Sequence, residues 1–261
     1  MIKLDIHALC DQGPTRDNNE DMVSVGGILL RNDKLDIPVE LDDDGVFYLL
    51  VSDGMGGHEQ GERASELLLE HLNECFRQQV FTPENIEEEL RRQVKLLNDR
   101  LNALAVSEQQ LRPMGCTLTG VVWFDNHAYL LNAGDSRTYL FRDPYLRQLT
   151  VDQTERGVTG DQNASKLLLN CIGGGAYGKL VVEDITENLL DGDVLLVCSD
   201  GLSDMVNDAA IEAALGGAKN PMRLLYEMAC EKGGYDNISV IMAKMTLPDV
   251  ASGSHEVAGG E

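Results

Sequence analysis

The sequence predicts an α+β fold in which antiparallel strands are grouped apart from two pairs of helices. Three observations predict it. An apolar run, Leu49-Leu50-Val51-Ser52, stops abruptly at Asp53-Gly54, and the pattern returns in Leu195-Leu196-Val197-Cys198-Ser199-Asp200-Gly201; such runs read as buried strands that exit into turns. Residues 64, 67, 68, 72, 75, 76 and 80, then 86, 90, 94, 97, 101 and 104, are apolar at the spacing of amphipathic helices. Between residues 116 and 141, three strand-like runs are separated by Asp125-Asn126 and Gly134-Asp135-Ser136, which reads as an antiparallel meander.

Taken in order, residues 2–10 alternate loosely through Ile2, Leu4, Ile6 and Ala8 and predict the first strand. A polar turn over residues 12–21 follows, and strand character resumes over 22–30. Residues 31–45 read as a polar connection. Their Asp42-Asp43-Asp44-Gly45 lacks the alternating ligands of a calcium loop and reads as a solvated hairpin end. The first long helix covers 59–80; Thr82 caps a second, with Pro83 at its first position. Two such helices in succession pack antiparallel on one face of a sheet. Residues 150–176 are polar, glycine-rich and irregular, with a short helical candidate at 164–172; a segment of this kind beside a site is where substrate-gating elements sit. Residues 194–198 form the second strand ending in Asp. Two helices follow, capped by Asn207 and by Asn220-Pro221, the second ending at Gly233-Gly234. The last strand covers 237–242, and residues 247–261 turn to Ser, Gly and Glu, which predicts a disordered tail.

The 261 residues suit one domain with a sizeable core. No apolar run approaches the ~18 residues of a membrane span, and the N-terminus is not a signal peptide. Six scattered cysteines without a CxxC pair read as buried reduced thiols, which points to the cytoplasm. With 21 Lys and Arg against 44 Asp and Glu, the formal net charge is −23. That surface repels nucleic acid and anionic lipid, and an anionic substrate needs local positive charge from ions or an Arg.

Five acids, Asp21, Asp53, Asp135, Asp200 and Asp236, begin or end a predicted strand beside Gly, Asn or Ser. One alone is an ordinary turn; five suggest a shared carboxylate cluster that cations must neutralise. Carboxylates and backbone carbonyls are the hard ligands of Mg²⁺ and Mn²⁺.

The motifs Arg16-x-x-x-Glu20-Asp21, Asp53-Gly54-Met55-Gly56-Gly57-His58-x-x-Gly61-Glu62-x-Ala64-Ser65, Met114-Gly115-Cys116-Thr117, Gly134-Asp135-Ser136-Arg137, Asp191-Gly192-Asp193 leading to Ser199-Asp200-Gly201-Leu202-Ser203-Asp204, and Gly234-x-Asp236-Asn237 occur in this order. Through them the chain, from about residue 10 to 245, resembles the metal-dependent protein serine/threonine phosphatases of the PPM, or PP2C, family, and its bacterial members in particular. The resemblance implies a PP2C-like four-layer α-β-β-α sandwich, two antiparallel sheets flanked by helix pairs, as a catalytic domain over 1–246. The 150–176 segment is then the family's flap, here short, with Gln153 where a His often stands.

The resemblance also implies two Mn²⁺ or Mg²⁺ ions. Asp53 bridges both, Asp200 and Asp236 complete one, and the Gly54 carbonyl serves the other, with Glu20 and Asp21 binding directly or through waters. A third, weaker ion falls to Asp135, Asp200 and Asp204. A metal-bridging hydroxide then attacks phosphorus in line. Arg16 offers a bidentate fork to the phosphate, a geometry Lys cannot match; a surface pair with Asp17 or Glu20 is its bland alternative. His58 is the nearest proton donor for the leaving alkoxide, with substrate contact or loop support as competing roles. Met55 stands where many animal members carry His, and Cys116 replaces a small polar residue. The implied partners are phosphorylated proteins, including a cognate bacterial Ser/Thr kinase and its substrates, met by a monomer. Two other readings stand beside this one: a non-catalytic phosphoprotein-binding regulator on the same fold, and a small phosphoester hydrolase using 54–57 as a phosphate cradle. The second lacks a P-loop Lys-Ser/Thr.

Overall fold

A computed structural model of the chain describes residues 1–42, 45–57, 59–78, 81–107, 114–161 and 163–248. The chain opens with β1 (Lys3–Asp11), β2 (Met22–Val25), β3 (Ile28–Leu30), β4 (Asp33–Glu40), β5 (Phe47–Ser52) and β6 (Gly54–Met55), then two long helices, α1 (Glu59–Arg77) and α2 (Ile86–Ser107). The middle holds β7 (Gly115–Cys116), β8 (Leu118–Phe124), β9 (His127–Ala133), β10 (Arg137–Arg142), β11 (Tyr145–Gln148), the short α3 (Glu155–Thr159), β12 (Ile172–Gly173) and β13 (Val181–Asp184). The last part carries β14 (Val194–Cys198), α4 (Asp200–Ser203), α5 (Asp208–Gly217), α6 (Pro221–Glu231) and β15 (Ile238–Thr246).

Two six-stranded antiparallel sheets stack face to face, in the orders β11-β10-β14-β15-β1-β4 and β13-β9-β8-β5-β2-β3. Period-two alternation builds the layers. In β5, Leu49 and Val51 point between the sheets, while Tyr48 and Leu50 point outward beneath α1 and α2. In β14, Leu195 and Val197 meet them from the other sheet, while Leu196 and Cys198 face α4, α5 and α6. Three apolar cores thus separate four layers, as the sequence predicts. Burial of Leu68, Leu72, Leu90, Val94, Leu97 and Leu101, all at 0–1 % exposure, explains why the two helical stripes hold.

The register sets where the strands end. β1 pairs with β15 along its length, from Lys3 opposite Thr246 to Asp11 opposite Ile238. The exits of β1, β5, β9 and β14 and the entries of β2, β10 and β15 carry every acid singled out above except Asp204, which caps α4. A third, three-stranded sheet, β12-β7-β6, fastens Gly54 opposite Cys116 and ties both to the end of the flap. The Cys116 thiol donates to the Ala64 carbonyl, a packing role.

Several expectations change. The polar connection at 31–45 contains β4, an edge strand whose Leu35, Ile37 and Val39 alternate with Lys34, Asp36 and Pro38. The three strands of 116–141 are no meander: β8 and β9 pair in one sheet, but at 134–136 the chain crosses, and β10 pairs with β11 and β14 in the other. The second long helix begins at Ile86, whose amide reaches the Thr82 carbonyl, so Thr82 opens a turn instead of capping the helix. In the flap the helix is α3, capped by the Thr154 hydroxyl, and 164–172 is not helical. Asn207 and Asn220 do cap α5 and α6, accepting from Ala210 and Arg223 amides. All six cysteines are free thiols, five buried and Cys230 half-buried. Residues 43 and 44 of the acidic triplet, and the tail from 249, lie outside the described residues.

Candidate active site

Each acid of the site is fixed by the backbone that carries it. The Asp53 amide donates to the Thr117 hydroxyl at 3.0 Å, and its carbonyl accepts from the Thr117 amide at 2.8 Å. Ser136 pairs with the same hydroxyl at 2.7 Å, joining the Asp53 and Asp135 turns. Asn237 organises the opposite wall. Its Oδ1 accepts from the Glu20 amide, its Nδ2 donates to the Gln12 and Asn18 carbonyls, and its amide donates to Asp236 Oδ1, all at 2.8 Å. Two glycines allow the close approach between these walls. A Cβ on Gly61 would collide with the Glu20 carboxylate, and one on Gly54 with the Gly61 carbonyl.

The result is a cleft of about 320 Å³ lined by Arg16, Glu20, Asp53, Gly54, Asp135, Asp200 and Asp236. Asp21 lies beneath it, 1 % exposed. Asp135 and Asp200 also floor a neighbouring cleft of about 670 Å³ that holds Asp204 under the flap. Nine of the ten residues expected in the site are therefore brought to two adjoining clefts or directly beneath them, with Asp204 at the far end and Gly54 at the near one. His58 lies outside the described residues.

Burial and mutual repulsion dominate the electrostatics. Desolvation, then the charges of Asp21 and Asp200, push the Asp53 carboxyl well above the usual carboxylate range. Burial, reinforced by Asp135 and Asp236, raises Asp200 to about 8. Asp21 rises to about 7, mainly through burial, against hydrogen bonds from Ser239 and Ser199. Asp135 rises to about 6 for the same leading reason. Two carboxylate oxygens, Asp21 Oδ2 and Asp200 Oδ1, are buried without any hydrogen-bond partner. Buried acids in this state want cations. The donor set, carboxylates with a glycine carbonyl, suits Mg²⁺ or Mn²⁺ and offers no soft ligand. The residues fit a divalent metal centre.

Among the described residues no three acidic, His or Cys side chains already stand in a ligating arrangement. Cations among the described residues hold Asp236 and Asp204 instead. Arg16 Nη2 binds Asp236 Oδ2 at 2.6 Å while its Nε donates to the Tyr235 carbonyl, and Lys166 Nζ binds Asp204 Oδ1. Arg16 thus pairs with neither Asp17 nor Glu20 in its own turn but with an acid more than 200 positions away.

The sequence profile of the family Protein phosphatase 2C matches residues 29–223. The chain belongs to that family. The Listeria innocua serine/threonine phosphatase stp is 31 % identical over 253 residues, covering 91 % of this chain and 94 % of the relative. The Mycobacterium tuberculosis serine/threonine protein phosphatase PstP is 33 % identical over 266 residues, covering 97 % of this chain and 47 % of the relative. Among solved structures, the catalytic domain of PstP in complex with two manganese ions superposes with a TM-score of 0.74 at 30 % identity, over 95 % of this chain and all of that one. The S. agalactiae serine/threonine phosphatase does so with a TM-score of 0.76 at 25 % identity, over 94 % of this chain and 100 % of that one. These neighbours share the α+β sandwich of this phosphatase 2C chain.

Sequence reasoning missed two supports of the site. Asn237 and Thr117 were legible as motif letters but not as the pins of Glu20 and Asp53, because nothing local to either residue reveals a partner 217 or 64 positions away. Lys166 carried no signal at all.

Proposed function

We propose that this phosphatase 2C chain hydrolyses phosphoserine and phosphothreonine on proteins at the Asp53 cleft, using a pair of Mn²⁺ or Mg²⁺ ions. The observation that carries the reading is the convergence of Glu20, Asp21, Asp53, Asp200 and Asp236 from four distant segments, with buried carboxylate oxygens that no protein donor satisfies. Asp53, Asp200 and Asp236, with the Gly54 carbonyl and with Glu20 and Asp21 in support, would hold the pair; Asp135, Asp200 and Asp204 would hold a third, weaker ion. When bound, the pair supplies an acidified water near neutral pH and neutralises the phosphoryl charge.

The chain's own residues do the rest. Arg16 stands at the mouth of the cleft, and its planar fork matches two phosphate oxygens. In this structure Nη2 of that fork holds Asp236 and Nε the Tyr235 carbonyl, so phosphate competes with both for it. The Thr117 hydroxyl and amide hold the Asp53 turn so that its carboxylate is presented without reorganisation. Asn237 keeps Glu20 and Asp236 on one wall. Apolar Leu168, from the flap, closes the side of the cleft and limits water. His58, directly after the glycines that border the cleft, is assigned the proton given to the departing seryl or threonyl oxygen.

Residues 1–246 act as one catalytic unit with the flap at 150–176. Its partners are phosphorylated proteins, a Ser/Thr kinase and that kinase's substrates among them, met by a monomer. Six free thiols suit a reducing, cytoplasmic setting. Purified protein should release phosphate from a phosphothreonine peptide only with Mn²⁺ or Mg²⁺, and turn over ATP and p-nitrophenyl phosphate less efficiently. Failure on the peptide with either ion removes this reading; preference for ATP converts it to a small phosphoester hydrolase.

A further inference from the structure

The turn that carries Arg16 is shaped from the far end of the chain. Asp11, the last residue of β1, accepts from the Gly13 amide at 2.8 Å through Oδ1, the local turn that short acids favour. The same oxygen accepts from the hydroxyl of Tyr226, on α6, at 3.0 Å. Gly13 stands at φ +72°, and a Cβ there would meet the Asp236 carbonyl oxygen at 2.6 Å, so the turn lies directly against the Asp236 backbone. Further along, the Thr15 hydroxyl donates to the Gly233 carbonyl at 2.9 Å and Arg16 Nε to the Tyr235 carbonyl at 3.0 Å. Gln12 Nε2 closes the turn on the Arg16 carbonyl at 2.6 Å. Segment 226–236 thus holds both ends of the Arg16 turn, with Tyr226 as the side chain that enters from the helix. Asp11 and Tyr226 line a cleft between α6 and β1 together with Leu9, Met222 and Met242, and none of the acids assigned to the metal centre lines it.

We propose that Tyr226 is a positioning residue for Arg16: its hydroxyl fixes the Asp11 carboxylate, the carboxylate fixes the Gly13 amide, and that amide sets the direction in which the Arg16 fork leaves the turn. This inference rests on the reading of Arg16 as the phosphate grip. The physical ground is the freedom of glycine. A glycine at positive φ has many alternatives within reach, and the bond from its amide to Asp11 selects one of them. A carboxylate that accepts from two donors is held in one rotamer, and a hydroxyl bonded to a carboxylate is among the stronger donors. Without Tyr226 the Asp11 side chain can turn, the Gly13 amide loosens, and the fork samples directions that miss the phosphate. Misplacement of about 1 Å is enough to matter, because bidentate binding needs both fork nitrogens in line at once. Tyr226 touches neither substrate nor ions; it acts through Asp11.

The test uses Tyr226→Phe in the full chain, which keeps the packed ring and removes only the hydroxyl. With Mn²⁺ and a phosphothreonine peptide, KM should rise about fivefold while kcat stays within about twofold, and the inhibition constant of inorganic phosphate should rise in parallel with KM. Calorimetric Mn²⁺ titration should give the parent's affinity. In metal-free protein, hydrogen exchange of the Gly13 amide should quicken while that of the Glu20 amide, held by Asn237, does not. The decisive arm is a double-mutant cycle: in Arg16→Ala, adding Tyr226→Phe should leave KM where Arg16→Ala put it. An unchanged KM in Tyr226→Phe, the same rise repeated in the Arg16→Ala background, a weakened Mn²⁺ affinity, or Gly13 exchange equal to the parent's overturns the proposal. If Arg16→Ala raises KM and Tyr226→Phe does not, this inference alone falls; if Arg16→Ala leaves KM unchanged, the phosphate-grip reading falls and takes the inference with it.

Discussion

Asp53 sets two properties in opposition. Its carboxyl is buried among like charges and held well above the usual range, which costs the folded protein stability. Asp53→Asn should therefore raise the melting temperature of metal-free protein at pH 8 while lowering kcat with Mn²⁺ by about a thousandfold or more; scanning calorimetry and phosphopeptide turnover read the two effects. Arg16 makes a different prediction. Arg16→Lys keeps the charge but loses the fork, so KM for a phosphopeptide should rise about tenfold with kcat changed much less. At this scale the sequence was generous: every acid assigned to the metal centre stands in a motif, most of them beside Gly, Asn or Ser. What it withheld was pairing. Nothing near Arg16 announces Asp236 as its partner, since that contact exists only once both ends of the chain have folded together.

The elements were legible where periodicity was unambiguous. Helices α1 and α2 and strand β14 follow directly from apolar spacing. Strand β4 was passed over because its exposed face of Lys34, Asp36 and Pro38 reads as loop, although Leu35, Ile37 and Val39 alternate strictly; a Pro in that setting marks an edge strand. The crossing at 134–136 left no local trace, because a hairpin turn and a change of sheet use the same Gly-Asp-Ser letters. In the flap, Leu167-Leu168-Leu169 mimics helical content, but Leu168 turns into the cleft while Leu167 and Leu169 are 67 % and 54 % exposed, the alternation of an extended segment. Capping gives the prediction at this scale. Asn207→Ala removes the acceptor for the Ala210 amide and should lower unfolding free energy by about 1 kcal/mol in a urea titration, with Mn²⁺ affinity unchanged.

For the molecule as a whole, the acid cluster dictates a pH response. Folding raises Asp135, Asp21 and Asp200 to about 6, 7 and 8 from the ordinary carboxylate range. The folded state then binds more protons than the unfolded chain between about pH 4 and pH 8, so metal-free stability is fullest at the acid end and falls as pH rises through that window. The formal charge of −23 works in the same direction. Melting temperature without metal should decline from pH 5.5 to 8, and saturating Mn²⁺ should raise it most at pH 8; a metal-free curve flat across that range contradicts the assignment. The pairing of β1 with β15, and the Asn237 clamp on Glu20, extend this dependence to synthesis. Until residue 246 has left the ribosome, the strand that opens one sheet has only β4 of its two neighbours, and the Glu20 wall lacks its Asn237 clamp. A half-made domain therefore cannot strip phosphate from its surroundings: hydrolysis is withheld until its last strand has been made.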